Sequence, residues 1–244
     1  MSKLADLLDR AATGGRLTFD EGVRLYKEAD IHDLGAAAHA RRMQLYPRNV
    51  VTYVIDTTIN YTNVCNVHCT FCAFFRPENH KEGYTMSHDT VLERVKFAAD
   101  RGATQIMIQG GVNPELKLDW FETLFQRVRA EFPRVDIHSL SVSEVVGLAR
   151  VEEMPTREVL ARLKAAGMKS LPGAGAEILV ERVRKRISAR KIRPDEWLGV
   201  MREAQELDMP TTATMMFGSI ETAQERVEHD ALRRRGDDRA AHAG

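Results

Sequence analysis

All three cysteines of this 244-residue chain fall within one short stretch, Cys65-Asn66-Val67-His68-Cys69-Thr70-Phe71-Cys72. An odd number of thiols cannot close into disulfides within one chain, and the C-x3-C-x2-C spacing points to a shared inorganic partner. Thiolates are soft, strongly donating ligands that suit zinc or an iron–sulfur cluster. The two differ in the fourth ligand. A closed zinc site needs a fourth protein donor, so His68 or His80 would have to complete a Cys3His set. A four-iron cluster on three cysteines keeps one iron open to a small molecule.

The motif, with an aromatic residue before its last cysteine, resembles that of the radical S-adenosylmethionine (radical SAM) enzymes. Its flanks, Ile59-Asn60-Tyr61-Thr62-Asn63-Val64 and Ala73-Phe74-Phe75-Arg76-Pro77, resemble the cyclic dehypoxanthinylfutalosine synthases of menaquinone biosynthesis. Three further stretches carry the same resemblance: Gln109-Gly110-Gly111-Val112-Asn113-Pro114, Leu171-Pro172-Gly173-Ala174-Gly175-Ala176-Glu177 and Thr211-Thr212-Ala213-Thr214-Met215-Met216-Phe217-Gly218. The similarity runs from about Val51 to His229.

The resemblance implies an α/β fold, a partial (β/α)6 barrel with chemistry at the C-terminal ends of its strands. It implies a [4Fe-4S] cluster on Cys65, Cys69 and Cys72, and S-adenosyl-L-methionine chelated by the open iron. Phe71 would lie against the adenine, and Gly110 and Gly111 near the methionine end. A small-molecule substrate and a one-electron donor such as flavodoxin or ferredoxin are implied too. The reaction would start with removal of a ribose hydrogen from dehypoxanthinylfutalosine, and the sugar would then cyclise onto the substrate's own ring. Aminofutalosine synthases and deazaflavin-forming radical synthases share this layout and stand as alternatives. A non-catalytic Cys3His zinc or iron–sulfur fragment is the reading from another class.

Other residues carry weaker signals. Gly173-Ala174-Gly175-Ala176 opens like a phosphate loop, but Ile178 stands where the third glycine of G-x-G-x-x-G belongs. Glu177 beside that turn could accept from ribose hydroxyls or an ammonium, or could serve as an acid at a helix N-terminus. Ser139 and Ser141, at the end of an expected strand, are substrate-contact candidates or ordinary turn residues. His138 reads equally well as a satisfied core histidine. His80 and Glu82, just after the cysteines, are candidate bases for the last proton. Asn60, Tyr61 and Asn63 could hold the cysteine loop through bonds to backbone. The run Glu181-Arg182-Val183-Arg184-Lys185-Arg186-Ile187 reads as a solvated helical face, because its cations are not interleaved with aromatics.

The elements that must position these groups follow from periodicity. Residues 1–48 read as a helical cap: Leu4, Leu7, Leu8 and Ala11 share a face, Thr18-Phe19-Asp20-Glu21 is a capping box, and a third helix runs from Asp33 to before Pro47. Strands are expected at 51–56, 105–109, 135–138, about 169–171 and 211–217, alternating with helices. That alternation implies parallel pairing through right-handed crossovers. The barrel spans residues 49–229 with its sixth strand missing, as if truncated, and 230–244 form a polar tail too poor in apolar residues to supply that strand. A chain so shortened is expected to bind a cluster yet turn over slowly, with an exposed edge at its last strand.

Composition excludes several roles. Lys and Arg number 35 and Asp and Glu 35, so no net field draws the chain to nucleic acid or anionic lipid. The charged N-terminus lacks a signal's apolar run, and no stretch reaches membrane-spanning length. Unpaired cysteines fit a reducing cytoplasmic setting.

Overall fold

Four short strands lie parallel in the order β1-β2-β3-β4: β1 (Thr58–Ile59), β2 (Gln105–Ile108), β3 (Asp136–Ser139) and β4 (Met168–Ser170). The computed structural model describes residues 3–241, with side chains described through Leu232. Each crossover carries helix: α4 (His88–Ala99) before β2, α5 (Leu118–Glu131) before β3, and α6 (Val142–Val151) with α7 (Thr156–Ala166) before β4. After β4 come α8 (Glu181–Ile187), α9 (Pro194–Glu206) and α10 (Ala223–Ala241). A cluster of apolar side chains fills the space between sheet and helices. Ile106, Ile108 and Ile137 from the strands pack with Phe121, Leu124, Phe125 and Val128 of α5 and Leu160 and Leu163 of α7. Each such side chain stabilises the fold by about 1.5–3 kcal/mol when fully buried.

The helix signals operate as their chemistry requires. Ser87 Oγ accepts from Thr90 N at 3.2 Å to start α4, Gly167 ends α7 at φ 120°, and Pro194 occupies the first turn of α9. At the N-terminus, α1 (Leu4–Ala12) packs against both α2 (Phe19–Glu28) and α3 (Ile31–Leu45). The Thr18–Glu21 box caps α2, and Asp30 rather than Asp33 begins α3, accepting from His32 N at 2.8 Å.

Three expectations about elements are corrected. The first strand is Thr58–Ile59 rather than 51–56. Thr58 pairs with Met107, so a register carried backward puts residues 51–54 beyond the start of β2, with no ladder to join. They are exposed instead, Tyr53 at 85%. The expected last strand is reduced to a single parallel bridge, Leu171 to Thr211. β4 is three residues long and ends at Ser170, so residues 212–217 have little strand edge to follow; Gly173 N still donates to Thr212 Oγ1 at 2.8 Å, but Phe217 is 67% exposed. The polar tail is helical through Ala241 as part of α10, and residues 242–244 lie outside the described region. Polarity excluded a strand there, but alanine and arginine favour helix. The boundary drawn at 229/230 therefore falls inside α10, which packs against α2: a Cβ on Gly22 would stand 3.1 Å from Val227. Among the described residues no helix is long and apolar enough to cross a membrane.

Candidate active site

The cysteine loop leaves the C-terminal end of β1 and is held from three directions. Cys65 N donates to Arg76 O at 3.0 Å, Asn66 N to Val112 O at 3.0 Å, and Thr70 N to Ile187 O, the end of α8, at 2.8 Å. Asn63 staples the loop to the chain that follows it, donating to Glu82 O at 2.9 Å and accepting from Tyr84 N at 2.8 Å. All three thiols are free and lie around one cavity of about 220 Å³. Its other lining residues include Phe71, Gly110, Gly111, Ser141, Ser143, Glu177 and Lys191.

One wall of the site is built on Glu144. It is the third residue of α6 and closes a capping box with Ser141: Ser141 N donates to Glu144 Oε2 at 2.6 Å, and Glu144 N donates to Ser141 Oγ at 3.2 Å. Its other oxygen, Oε1, accepts from Tyr61 Oη at 2.7 Å and from Gly110 N at 3.0 Å. One buried carboxyl therefore joins the segments that follow β1, β2 and β3. Burial raises the Glu144 pKa to about 7 against the opposing pull of its hydrogen bonds, and burial together with Glu144 pushes Tyr61 well above its usual range. Gly111 serves the same wall. Its N donates to Thr62 O at 3.0 Å, and a Cβ there would overlap the Val64 carbonyl and stand 2.8 Å from Cys65 Cβ.

A second wall follows β4 and is less completely bonded. Glu177 Oε1 pairs with Lys191 Nζ inside the protein, while Glu177 Oε2 is buried without a hydrogen-bond partner. Lys191 Nζ also stands 5.6 Å from the centre of the Phe71 ring. Ser143 Oγ, on α6, is a second buried polar atom without a partner. Two such atoms at one cavity mark where a polar ligand is wanted, because a buried acceptor or hydroxyl left unpaired costs about 1–3 kcal/mol.

Eight candidates from the sequence meet at this cavity: Cys65, Cys69, Cys72, Phe71, Gly110, Gly111, Ser141 and Glu177. Others do not. Ser139 is fully buried and donates to Ile108 O at 2.6 Å, so it is a tie between strands and not a substrate contact. Glu82 pairs with Arg76 at 2.8 Å on the surface, and His80 Nδ1 accepts from Glu82 N at 3.1 Å, so neither lines the cavity as a base would. The amides of Gly110 and Gly111 are spent on Glu144 and Thr62, so the close approach that requires glycine is that of the cysteine loop. Glu177 is not at a helix start, since α8 begins at Glu181. The basic run is only partly solvated: Arg184 points inward and is buried. Ser143 and Lys191 escaped the sequence reading, having no motif around them. Glu144 had a signal in the Ser141-x-x-Glu144 pattern that names a capping box.

The donor set fits an iron–sulfur cluster better than a single ion. Among the described residues no three Cys, His, Asp or Glu side chains converge on a single-ion position. The histidines that zinc would need are engaged elsewhere. His68 stacks on Phe75 at 5.0 Å with Nδ1 3.2 Å from Arg190 Nη1, and His80 is turned to Glu82. Three thiols around a cavity, with an unpartnered carboxylate oxygen on the same cavity, suit a larger cluster with a polar molecule beside it.

Comparison with known proteins agrees with this donor set. The sequence profile of the radical SAM superfamily matches residues 59–232. The chain is 44% identical over 235 residues to the cyclic dehypoxanthine futalosine synthase of Streptomyces coelicolor, covering 94% of this chain and 59% of that protein. It is 40% identical over 223 residues to the enzyme of the same name from Halalkalibacterium halodurans, covering 91% and 60%. It is also 39% identical to 5-amino-6-(D-ribitylamino)uracil–L-tyrosine 4-hydroxyphenyl transferase 1 of Methanosarcina acetivorans, covering 92% and 58%. The chain thus spans about 60% of the length of the curated relatives it matches. Among solved structures, a maturase of the [FeFe]-hydrogenase superposes with a TM-score of 0.70 at 14% identity, covering 94% of this chain and 49% of that one. Methylornithine synthase gives 0.63 at 17%, covering 96% and 64%. At those identities the likeness is one of fold.

Proposed function

Because the chain belongs to the radical SAM superfamily, we propose that Cys65, Cys69 and Cys72 hold a [4Fe-4S] cluster and that the adjoining cavity receives S-adenosyl-L-methionine. We further propose that the whole protein cyclises dehypoxanthine futalosine. The observation that carries this reading is the meeting of three free thiols and the unpartnered Glu177 Oε2 at one cavity. When bound, the two cofactors together supply one-electron opening of a carbon–sulfur bond, the step that no side chain can perform.

The chain's own residues orient and shield. Glu177 Oε2 accepts from a hydroxyl or ammonium, and Lys191 fixes that carboxylate by holding its other oxygen. Phe71 offers an apolar face at the cavity wall for a flat ring. Glu144 keeps Tyr61, Gly110 and Ser141 in register behind the loop, so the thiols are pre-positioned. A one-electron donor such as flavodoxin or ferredoxin completes the requirement.

The 39% identity to the 4-hydroxyphenyl transferase supports a second reading, joining a tyrosine-derived fragment to a ribityl-uracil. Anaerobically reconstituted protein with S-adenosylmethionine and a reductant, offered each substrate in turn, separates the two by mass spectrometry. Cyclised futalosine product supports the first reading. A coupled uracil product, with none from the futalosine, replaces it with the second.

A further inference from the structure

Arg184 lies on α8, yet it is buried, at 4% exposure. Its neighbours on the helix reach carboxylates: Arg182 pairs with Glu225 at 2.6 Å and Lys185 with Glu181 at 3.3 Å. Arg184 instead donates to main-chain carbonyls. Nη1 bonds Gly175 O at 3.1 Å and Ala176 O at 2.5 Å, and Nε and Nη2 bond Ile192 O at 3.2 and 2.6 Å. Carbonyl dipoles solvate a guanidinium without cancelling its charge, and arginine keeps its proton even when burial lowers its pKa. The cation is also fixed relative to the cysteines. Gly175 lines their cavity, and Ile187 O at the end of α8 accepts from both Thr70 N and Thr70 Oγ1, the residue after Cys69. Arg184 lies within electrostatic reach of Cys69, as it does of the Glu177, Glu181 and Glu196 carboxylates, none of which hydrogen-bonds to it.

Resting on the cluster assignment above, we propose that Arg184 sets the reduction potential of the metal centre held by the three cysteines. Reduction adds one electron, delivered by the one-electron donor, and so adds one negative charge to a centre that already carries three thiolates. A fixed buried cation stabilises that added charge more than it stabilises the oxidised form, and a low local dielectric strengthens the difference. Arg184 is thus a positioning residue for charge. It ties the glycine turn to α8, and it makes the centre easier to reduce.

The test is a mediated redox titration of the anaerobically reconstituted full chain, followed by electron paramagnetic resonance of the reduced centre. Arg184→Gln shifts the midpoint to more negative potential, so that at a fixed poise the reduced-to-oxidised ratio falls about tenfold, equivalent to about 59 mV for one electron. Arg182→Gln, on the same helix but already matched by Glu225, changes that ratio less than about twofold on the same scale. Arg184→Lys keeps the test open should the Gln variant fail to fold. A buried lysine loses its proton within reach of experiment, so this variant matches the parent at low pH and moves toward more negative potential as pH rises, more steeply than the parent. A Gln variant with the parent's midpoint, or a Lys variant with the parent's pH profile, overturns the proposal. A parent chain that takes up no iron and sulfide overturns the cluster assignment itself.

Discussion

Glu177 lines the cysteine cavity and Glu144 stands behind it, bonded to the lining residues Gly110 and Ser141, and the two are bonded on opposite terms. Both oxygens of Glu144 are taken up by Tyr61, Gly110 and Ser141, and burial raises its pKa to about 7. Glu177 is held at one oxygen by Lys191 and keeps the other buried and unpartnered. A carboxylate whose partners all come from the protein shapes a wall. One with a buried oxygen to spare is arranged for something that arrives later. The difference separates the part of the site that makes the cavity from the part that uses it.

The comparison breaks most visibly on the structural side. Gly111→Ala drives a methyl into the Val64 carbonyl and toward Cys65. This variant should lose most of its bound iron while keeping its helical circular dichroism. Next comes Glu144→Ala, which strands the Tyr61 hydroxyl and two amides in the interior. At about 1–3 kcal/mol for each orphaned group, a denaturant titration should show a loss of about 3 kcal/mol or more. Glu177→Gln keeps an acceptor for Lys191 but removes the charge that matches its buried ammonium, so the same titration should show a loss of about 1–3 kcal/mol.

The pH dependence sharpens the contrast. The folded pKa of Glu144, about 7, exceeds the ordinary carboxyl value of 4.5, so between those values the folded chain binds more protons than the unfolded one. Its contribution to stability is whole below 4.5 and falls as pH rises through 7. At about 1.4 kcal/mol per unit, the loss across the window amounts to at most about 3–4 kcal/mol. His138 and His88, whose pKa values burial lowers, act in the opposite direction. The quantity to measure is therefore the difference between parent and Glu144→Gln, and it should shrink steadily from pH 4.5 to 7. The smallest effect belongs to the ligand side: Glu177→Gln should weaken S-adenosylmethionine binding about tenfold by equilibrium dialysis, the worth of a charge-assisted bond.

Much of this site was legible because its chemistry is local. Three cysteines on one loop need no tertiary context to announce a metal centre, and glycines after an apolar strand mark a close approach whatever approaches. What lay hidden depends on contacts far apart in the chain. Tyr61 and Glu144 are 83 residues apart, and the Ser141-x-x-Glu144 pattern gives no hint that the glutamate also reaches two other segments. Arg184 looked like any cation in a basic run because helical spacing does not show which member turns inward. Strand limits failed for a related reason. Residues 51–54 have strand-like composition, but pairing begins only at Ile55, whose carbonyl accepts from Thr104 N and Gln105 N where β2 starts, and residues 212–217 follow the Thr211 bridge with no ladder beyond it.

The central claim is that three thiolates hold a cluster, and metal analysis tests it most directly. Anaerobically reconstituted protein should carry close to four iron and four sulfide per chain, and Cys69→Ala should lose both together with the colour. One equivalent of zinc without sulfide, or iron and colour retained in Cys69→Ala, would contradict the account.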